Sequence, residues 1–214
     1  MERVYDSSAV LRIALAAARP WGFALGGGRA LLAHGVHQRP TLGIDLVTDR
    51  EEGVRDGAAA VVEALSEAGY QTTEIEGETV IEGLDLAMVE LAILTRAGVI
   101  PLSLGIQPRA RPTVEMPEGP VVHLEDLAAN KVAAMTDRAD VRDFIDVAAL
   151  QDRLGGERVG GDRLRRLARE VDPGLTDDDY AAAVRQLAAY SDELFEAYGA
   201  QGARVRQAFA AWPR

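Results

Sequence analysis

The reading of the fold turns on residues 124–150: Leu124-Glu125-Asp126-Leu127-Ala128-Ala129-Asn130-Lys131-Val132-Ala133-Ala134, then Arg138, then Arg142-Asp143-Phe144-Ile145-Asp146-Val147-Ala148-Ala149-Leu150. The pattern predicts one helix over 124–136 and a second over 140–154. Asp126 can cap or begin the first. Lys131 lies further along the same helix, where it can reach an anionic ligand. Arg142 and Asp146 stand at i and i+4, share a helix face and can pair. Taken alone, Arg142, Asp143 and Asp146 describe a solvated, salt-bridged helix pair. Composition sets Lys131 apart, because it is the one lysine among 23 basic residues. It is either a chance surface residue or a position that needs a compact ammonium where a planar guanidinium will not serve.

Upstream, Leu25-Gly26-Gly27-Gly28-Arg29-Ala30-Leu31 reads as a glycine turn between a short strand over 21–25 and a helix. Such a turn lets backbone N–H groups approach a phosphate at a helix N-terminus, although three glycines often make only a tight turn. The next strand is Thr41-Leu42-Gly43-Ile44-Asp45-Leu46-Val47, apolar at 42, 44 and 46. Carboxylates at i and i+2 on a strand point to one side and can share a metal. Here Asp45 is present and its i−2 position is Gly43.

Around these pieces, residues 6–19 predict a helix that Ser7 or Ser8 can cap and Pro20 ends. Residues 54–68 place Val54, Ala58, Val61, Val62 and Leu65 on one helical face, with Gly69 closing it. Residues 70–106, interrupted by Gly77, Gly83 and Gly98, predict several strands. Four prolines between 108 and 121 predict a loop. Gly155-Gly156 and Gly160-Gly161 break the later helical pattern, and further helices follow over 162–170, 177–189 and from 192 onward. The expected fold class is α+β: a mixed-sheet part over 1–122 and a helical part over 123–214.

The net charge of −11 removes the broad basic footprint that supplies most non-specific nucleic-acid affinity. It favours a small-molecule ligand over tRNA. The absence of cysteine excludes disulfides and thiolate metal sites, and is compatible with the cytoplasm, the expected location. No apolar run is long enough to span a bilayer, and the start, with an acidic residue at position 2, reads as a helix and not a signal peptide. His34 and His37 lack a third ligand at useful spacing; with His123 they read as surface or capping residues. Trp21, Trp212 and the tyrosines read as packing residues.

The order of motifs is more specific than any one of them. A glycine turn with an Ala-Leu helix, an Arg-x-Thr-x-x-Ile-Asp-Leu strand, a Glu-Asp-Leu-x-Ala-x-Lys helix and an Arg-Asp-x-x-Asp helix together resemble the AbiEii family, including its MenT-type toxins. The resemblance covers about residues 20–155. It implies a nucleotidyltransferase-type fold, with Asp45, Lys131 and Asp146 as catalytic residues and Gly26, Gly27, Gly28, Arg29, Arg142 and Asp143 as ligand contacts. The family's strand pattern is Asp-x-Asp where this chain has Gly43-Ile44-Asp45. The family's third acid aligns with Ser103 of Leu102-Ser103-Leu104-Gly105-Ile106; a second register would use Glu90. The first fits the following Arg109–Pro112 loop better.

Two expectations follow. In the favoured one, the metal site is degraded, no cofactor is required, and the protein binds a small anionic or nucleotide-like ligand or carries out metal-free chemistry. In the other, an active Mg²⁺-dependent nucleotidyltransferase modifies tRNA or protein as the toxin of a toxin–antitoxin pair, with Asp45 and Glu90 as metal ligands and an antitoxin as partner. Neither reading involves a membrane.

Overall fold

Residues 44–48 alternate buried and half-buried, as a strand covered on one face must, and around this strand the computed structural model assembles its sheet. The structure describes residues 2–36, 39–50, 52–75 and 88–214. The chain divides into two compact units, one of residues 1–33 and 41–123, the other of 34–40 and 124–214.

In the first unit, the helix α1 (Glu2–Ala18) leads through a tight turn at Arg19–Trp21 into β1 (Ala24–Leu25) and α2 (Gly27–Ala33). Next come β2 (Ile44–Thr48), α3 (Val54–Glu67), β3 (Gln71–Glu74), β4 (Met88–Thr95) and β5 (Gly98–Ile106). A hairpin of β6 (Val114–Met116) and β7 (Gly119–Val121) ends the unit. Among the described residues these strands form one sheet in the order β3-β4-β5-β2-β1-β7-β6. β2 runs parallel to β5 and antiparallel to β1, and β4 is antiparallel to β5. One face is apolar: Ile44, Leu46, Val89, Leu91, Ile93, Leu102 and Leu104 are buried, and α3 packs on it through Val54, Ala58, Val61 and Leu65.

The sequence expectations differ from this unit in five places. The strand expected over 41–47 begins only at Ile44, and Leu42, expected on its apolar face, precedes it and is exposed. Helix α1 begins before Ser7 and Ser8, which lie inside it. The strand expected over 21–25 shrinks to Ala24–Leu25, because Pro20 starts a tight turn that Gly22 ends at φ +78°. Val62 is only half-buried. The proline-rich stretch is not all loop: β7 pairs with β1 at Leu25↔Val121, and Pro120 sits opposite Glu115 of the outer strand β6. β7 is only three residues long and pairs with β1 through Val121 alone, so the N–H that Pro120 lacks is missing from a very short ladder. Gly77 and Gly83 lie outside the described residues.

In the second unit, α4 (Leu124–Arg138) packs on α5 (Val141–Val171), followed by α6 (Asp177–Leu187), α7 (Asp192–Ala197) and α8 (Gly202–Ala208). The break expected at 155–161 does not occur, and α5 runs through. Glycine costs only about 1 kcal/mol per helix position, which tertiary packing overrides. Gly161 has a reason to be there: a Cβ would lie 2.9 Å from Trp212 Nε1, so its absence lets the indole approach the helix. Trp212 packs in turn against Phe209 at a tilt, with ring centroids 5.0 Å apart, and Phe209 meets Phe144 edge-on at 5.4 Å. The last stretch of chain thereby closes an aromatic core around α5.

Phe144 is fully buried and contacts both Tyr190 and Phe209. Phe144→Ala is expected to cost about 3–5 kcal/mol of stability through lost burial and the cavity left behind. Urea unfolding followed by circular dichroism measures it, and a loss below about 1 kcal/mol would mean that this core is not structured as described.

Candidate functional site

The sheet unit holds Asp45, Arg29 and the glycine turn. Gly26 N donates to Asp45 O at 2.8 Å, which ties the turn to β2. Gly27 has φ +57°, and a Cβ there would fall 1.7 Å from Asp45 Oδ2. The aspartate carboxylate thus occupies the space that any other residue's side chain would fill, which explains the glycine at 27 without invoking a phosphate. Arg29 Nε donates to Gly43 O at 2.9 Å. Burial lowers the Arg29 pKa, and the charge of Asp45 pulls the other way.

The register decides what faces Asp45. Asp45 pairs with Ser103 across the parallel β2–β5 ladder, and Ser103 Oγ donates to Asp45 Oδ1 at 2.9 Å. Ser103 pairs in turn with Glu90 on β4. Directly opposed residues point to one face, so Asp45, Ser103 and Glu90 form a row across three strands, with Glu90 exposed. Asp45 and Glu90 are two strand spacings apart, roughly 10 Å, with the serine between. Among the described residues no three His, Asp or Glu side chains gather as a metal site. His37 lies outside the described residues.

The helical unit holds the charged cluster. Asp143 and Asp146 stand i and i+3 on α5 and are both fully buried. Arg138 grips Asp143 with two bonds, of 2.7 and 2.9 Å. Arg39 grips Asp146 with two bonds of 2.7 Å. Lys131 reaches from α4 between them, 2.9 Å from Asp146 Oδ2 and 3.5 Å from Asp143 Oδ1. Its side chain is 14% exposed. The charges alternate as Arg138, Asp143, Lys131, Asp146, Arg39. The Arg138 pKa is raised, chiefly by its hydrogen bond to Asp143. Burial works against the charge on Arg39, but the bonds and charge of Asp146 outweigh it and its pKa is raised.

Arg142 departs from the expected i, i+4 pairing with Asp146. It binds Asp140 with contacts of 2.9 and 2.8 Å, because Asp140 caps α5 and also accepts from Arg142 N at 2.8 Å. Those bonds lower the Asp140 pKa to about 2. The two cations that sequence reasoning did not nominate are Arg39 and Arg138. Arg39 is 107 positions from its partner, a separation that helix spacing cannot reveal. Arg138 is five positions from Asp143 across the α4–α5 turn, where Ala139 takes φ +49°.

A mixed sheet in which a glycine turn is tied to an aspartate-bearing strand, with a helical unit carrying a buried lysine–carboxylate cluster, defines a nucleotidyltransferase-type protein. The family described as "Nucleotidyl transferase AbiEii toxin, Type IV TA system" matches residues 13–189, and the chain belongs to that family. Among solved structures, the chain is similar to MenT4, a nucleotidyltransferase toxin of Mycobacterium tuberculosis H37Rv, with 21% identity, a TM-score of 0.60, and 98% of this chain and 85% of that one covered. It is also similar to JHP933 of Helicobacter pylori, with 15% identity, a TM-score of 0.56 and coverages of 97% and 90%. A putative nucleotidyltransferase of H. pylori follows, with 18% identity, a TM-score of 0.54 and coverages of 94% and 90%. At these identities the likeness is one of fold. No curated protein sequence matches significantly.

Two outcomes test the geometry. Gly27→Ala should destabilise by more than the roughly 1–2 kcal/mol of a left-handed alanine, because Asp45 must also move. In an Asp45→Ala background the same change should cost at least about 1 kcal/mol less; additive effects would refute the contact. Asp140→Ala should cost about 0.5–2 kcal/mol at neutral pH as a lost cap. Since the folded pKa of Asp140 is depressed from 3.8 to about 2, its stabilisation is present above pH 3.8 and fades as pH falls toward 2. Wild-type and variant stabilities should therefore converge in acid; a constant gap would contradict the assignment.

Proposed function

We propose that the chain binds a nucleotide or another small anionic ligand and has diverged from metal-dependent nucleotidyl transfer. One observation carries the reading: Asp45 meets the hydroxyl of Ser103 at 2.9 Å, and the residue two before it is Gly43. Mg²⁺ in such sites is held by carboxylates together with substrate phosphates and waters. A single aspartate whose one oxygen accepts from serine and whose other packs on Gly27 is a poor fit to that ion. Its weak fit leaves binding, or a metal-free rearrangement such as an isomerisation or cyclisation, as the function assigned here.

In this reading Lys131 is the cation offered to the ligand. Its ammonium contacts Asp143 and Asp146, and since an ammonium has three N–H donors, in this reading the remaining one serves the anion. Asp146 and Asp143 are positioning residues that hold the ammonium in place. Asp45 acts as a fixed hydrogen-bond acceptor beside the glycine turn of Gly26, Gly27 and Gly28, and Arg29 acts as a cation next to it. Arg142 contributes through the cap at Asp140. The net charge of −11 favours a small ligand over tRNA, and the cytoplasm is the proposed setting.

A second reading has its own observation. Glu90 shares a row with Asp45 through Ser103, so a substrate-filled site could recruit both carboxylates. Under that reading the protein transfers a nucleotide with Mg²⁺, tRNA or protein is the acceptor, and an antitoxin is the partner.

Titration of each NTP with and without Mg²⁺, read by calorimetry, separates the two. Metal-independent binding that survives Asp45→Ala and Glu90→Gln supports the divergent reading. Tight Mg²⁺-dependent NTP binding abolished by Asp45→Ala would sink it. Lys131→Ala should weaken binding of the anionic ligand by about tenfold or more, the worth of one charge-assisted hydrogen bond. It should also lower stability, because the buried carboxylate of Asp146 loses its 2.9 Å contact with the ammonium, so affinity is compared under conditions where circular dichroism shows the variant folded. Unchanged affinity in that variant would remove Lys131 from the site.

A further inference from the structure

The far end of β2 from Asp45 carries a second charged feature. β2 leaves the sheet at Thr48, followed by Asp49 and Arg50, roughly 13 Å along the strand from Asp45. The loop after β5 stays beside it, with Gln107 N donating to Thr48 O at 2.8 Å. The turn at Arg19–Trp21 reaches the same place: Thr48 Oγ1 donates to Trp21 O at 3.1 Å and Arg50 Nη1 to Pro20 O at 3.2 Å. Between them is a cleft of about 330 Å³ whose charged walls are Arg19, Arg50, Arg109, Arg111, Asp49 and Glu115. Four guanidinium groups face two carboxylates, in a chain whose net charge is −11.

Arg109 is the informative residue. Its side chain is only 6% exposed. Nη2 donates to Gly22 O at 3.1 Å and to Asp49, while Nη1 is buried with no partner among the described residues. Native structures rarely leave such a donor unmet, and a buried guanidinium calls for more compensation than one half-exposed carboxylate supplies. The Arg19–Glu115 pair at the rim has both partners about 60% exposed, so it holds weakly and can open to another anion. Asp49 is pushed up by burial, but the bond and charge of Arg109, its own backbone and Arg50 outweigh this and keep it ionised below its ordinary range.

We propose that this cleft is a binding site for a small phosphate-class oxyanion, distinct from the glycine-turn site. Guanidinium forks match phosphate oxygens two at a time, and a set of them converging on one cleft suits a tetrahedral anion. The anion would exchange for Glu115 at the rim and share Arg109 with Asp49.

The test titrates the full chain with inorganic phosphate and with phenyl phosphate, against chloride at matched ionic strength, following arginine Nε–Hε NMR signals. The expected result is a saturable shift of the Arg50 and Arg109 signals. Arg50→Gln should weaken binding by about tenfold, the worth of one charge-assisted bond, and its side chain is exposed enough to leave the fold intact. Asp49→Asn should tighten binding, because a competing carboxylate is gone; a merely structural role for these residues would not produce that gain. Tighter binding of phenyl phosphate identifies a phosphomonoester as the source, and equal or weaker binding identifies free phosphate. Shifts that do not saturate, or equal affinity in wild type and Arg50→Gln, would overturn the proposal.

Discussion

The helical unit is organised around the neutralisation of two buried carboxylates. Asp143 and Asp146 have no exposed surface, and taking an ionised group out of water costs several kcal/mol. Each is met by a bidentate arginine, and one ammonium bridges them. This requirement explains why residues 34–40, which precede β2 in sequence, belong to the helical unit. Arg39 must reach Asp146, and the chain around it follows. It also explains the short α4–α5 connection, which brings Arg138 back onto Asp143 within five residues. The aromatic core of Phe144, Phe209 and Trp212 is built on the same helix.

In the sheet unit the equivalent constraint is the contact between Asp45 and Gly27. The aspartate cannot occupy its position unless residue 27 lacks a Cβ, and Gly26 is bonded to the Asp45 backbone. Turn and strand are therefore fixed as one piece. Arg29, in the first turn of α2, donates to the backbone carbonyl of Gly43 and so fastens the helix to the chain just before β2.

Much of this was legible in the sequence because it is local. The alternation at 44 and 46 marks β2, although Leu42, expected with them, lies outside the strand and is exposed; the helical spacing at 54, 58, 61 and 65 marks α3, and the Lys131 and Asp143–Asp146 pattern marks the helix pair. What escaped was set by long-range contacts or by small local costs that packing overrides. The Arg39–Asp146 pair spans 107 positions. Arg142 prefers Asp140 because a cap offers it two carboxylate oxygens within two residues, ahead of the i+4 partner. Glycines 155–161 looked like a break, yet Trp212 uses the missing side chain at 161 as a packing surface. The prolines of 108–121 hid a hairpin of two three-residue strands, too short for an alternation to show against them.

The lone lysine follows from the same electrostatics. Asp143 and Asp146 each have one face taken by a guanidinium fork, which fixes two oxygens in one plane. Between the carboxylates there remains a narrow gap bounded by one oxygen of each. A third planar fork would have to present parallel N–H bonds to two separate groups, which its rigid geometry resists. An ammonium is compact and directs its three N–H bonds tetrahedrally, so it can serve two carboxylates and still present a donor elsewhere. In a chain that otherwise uses arginine as its cation, geometry at this one point selects lysine.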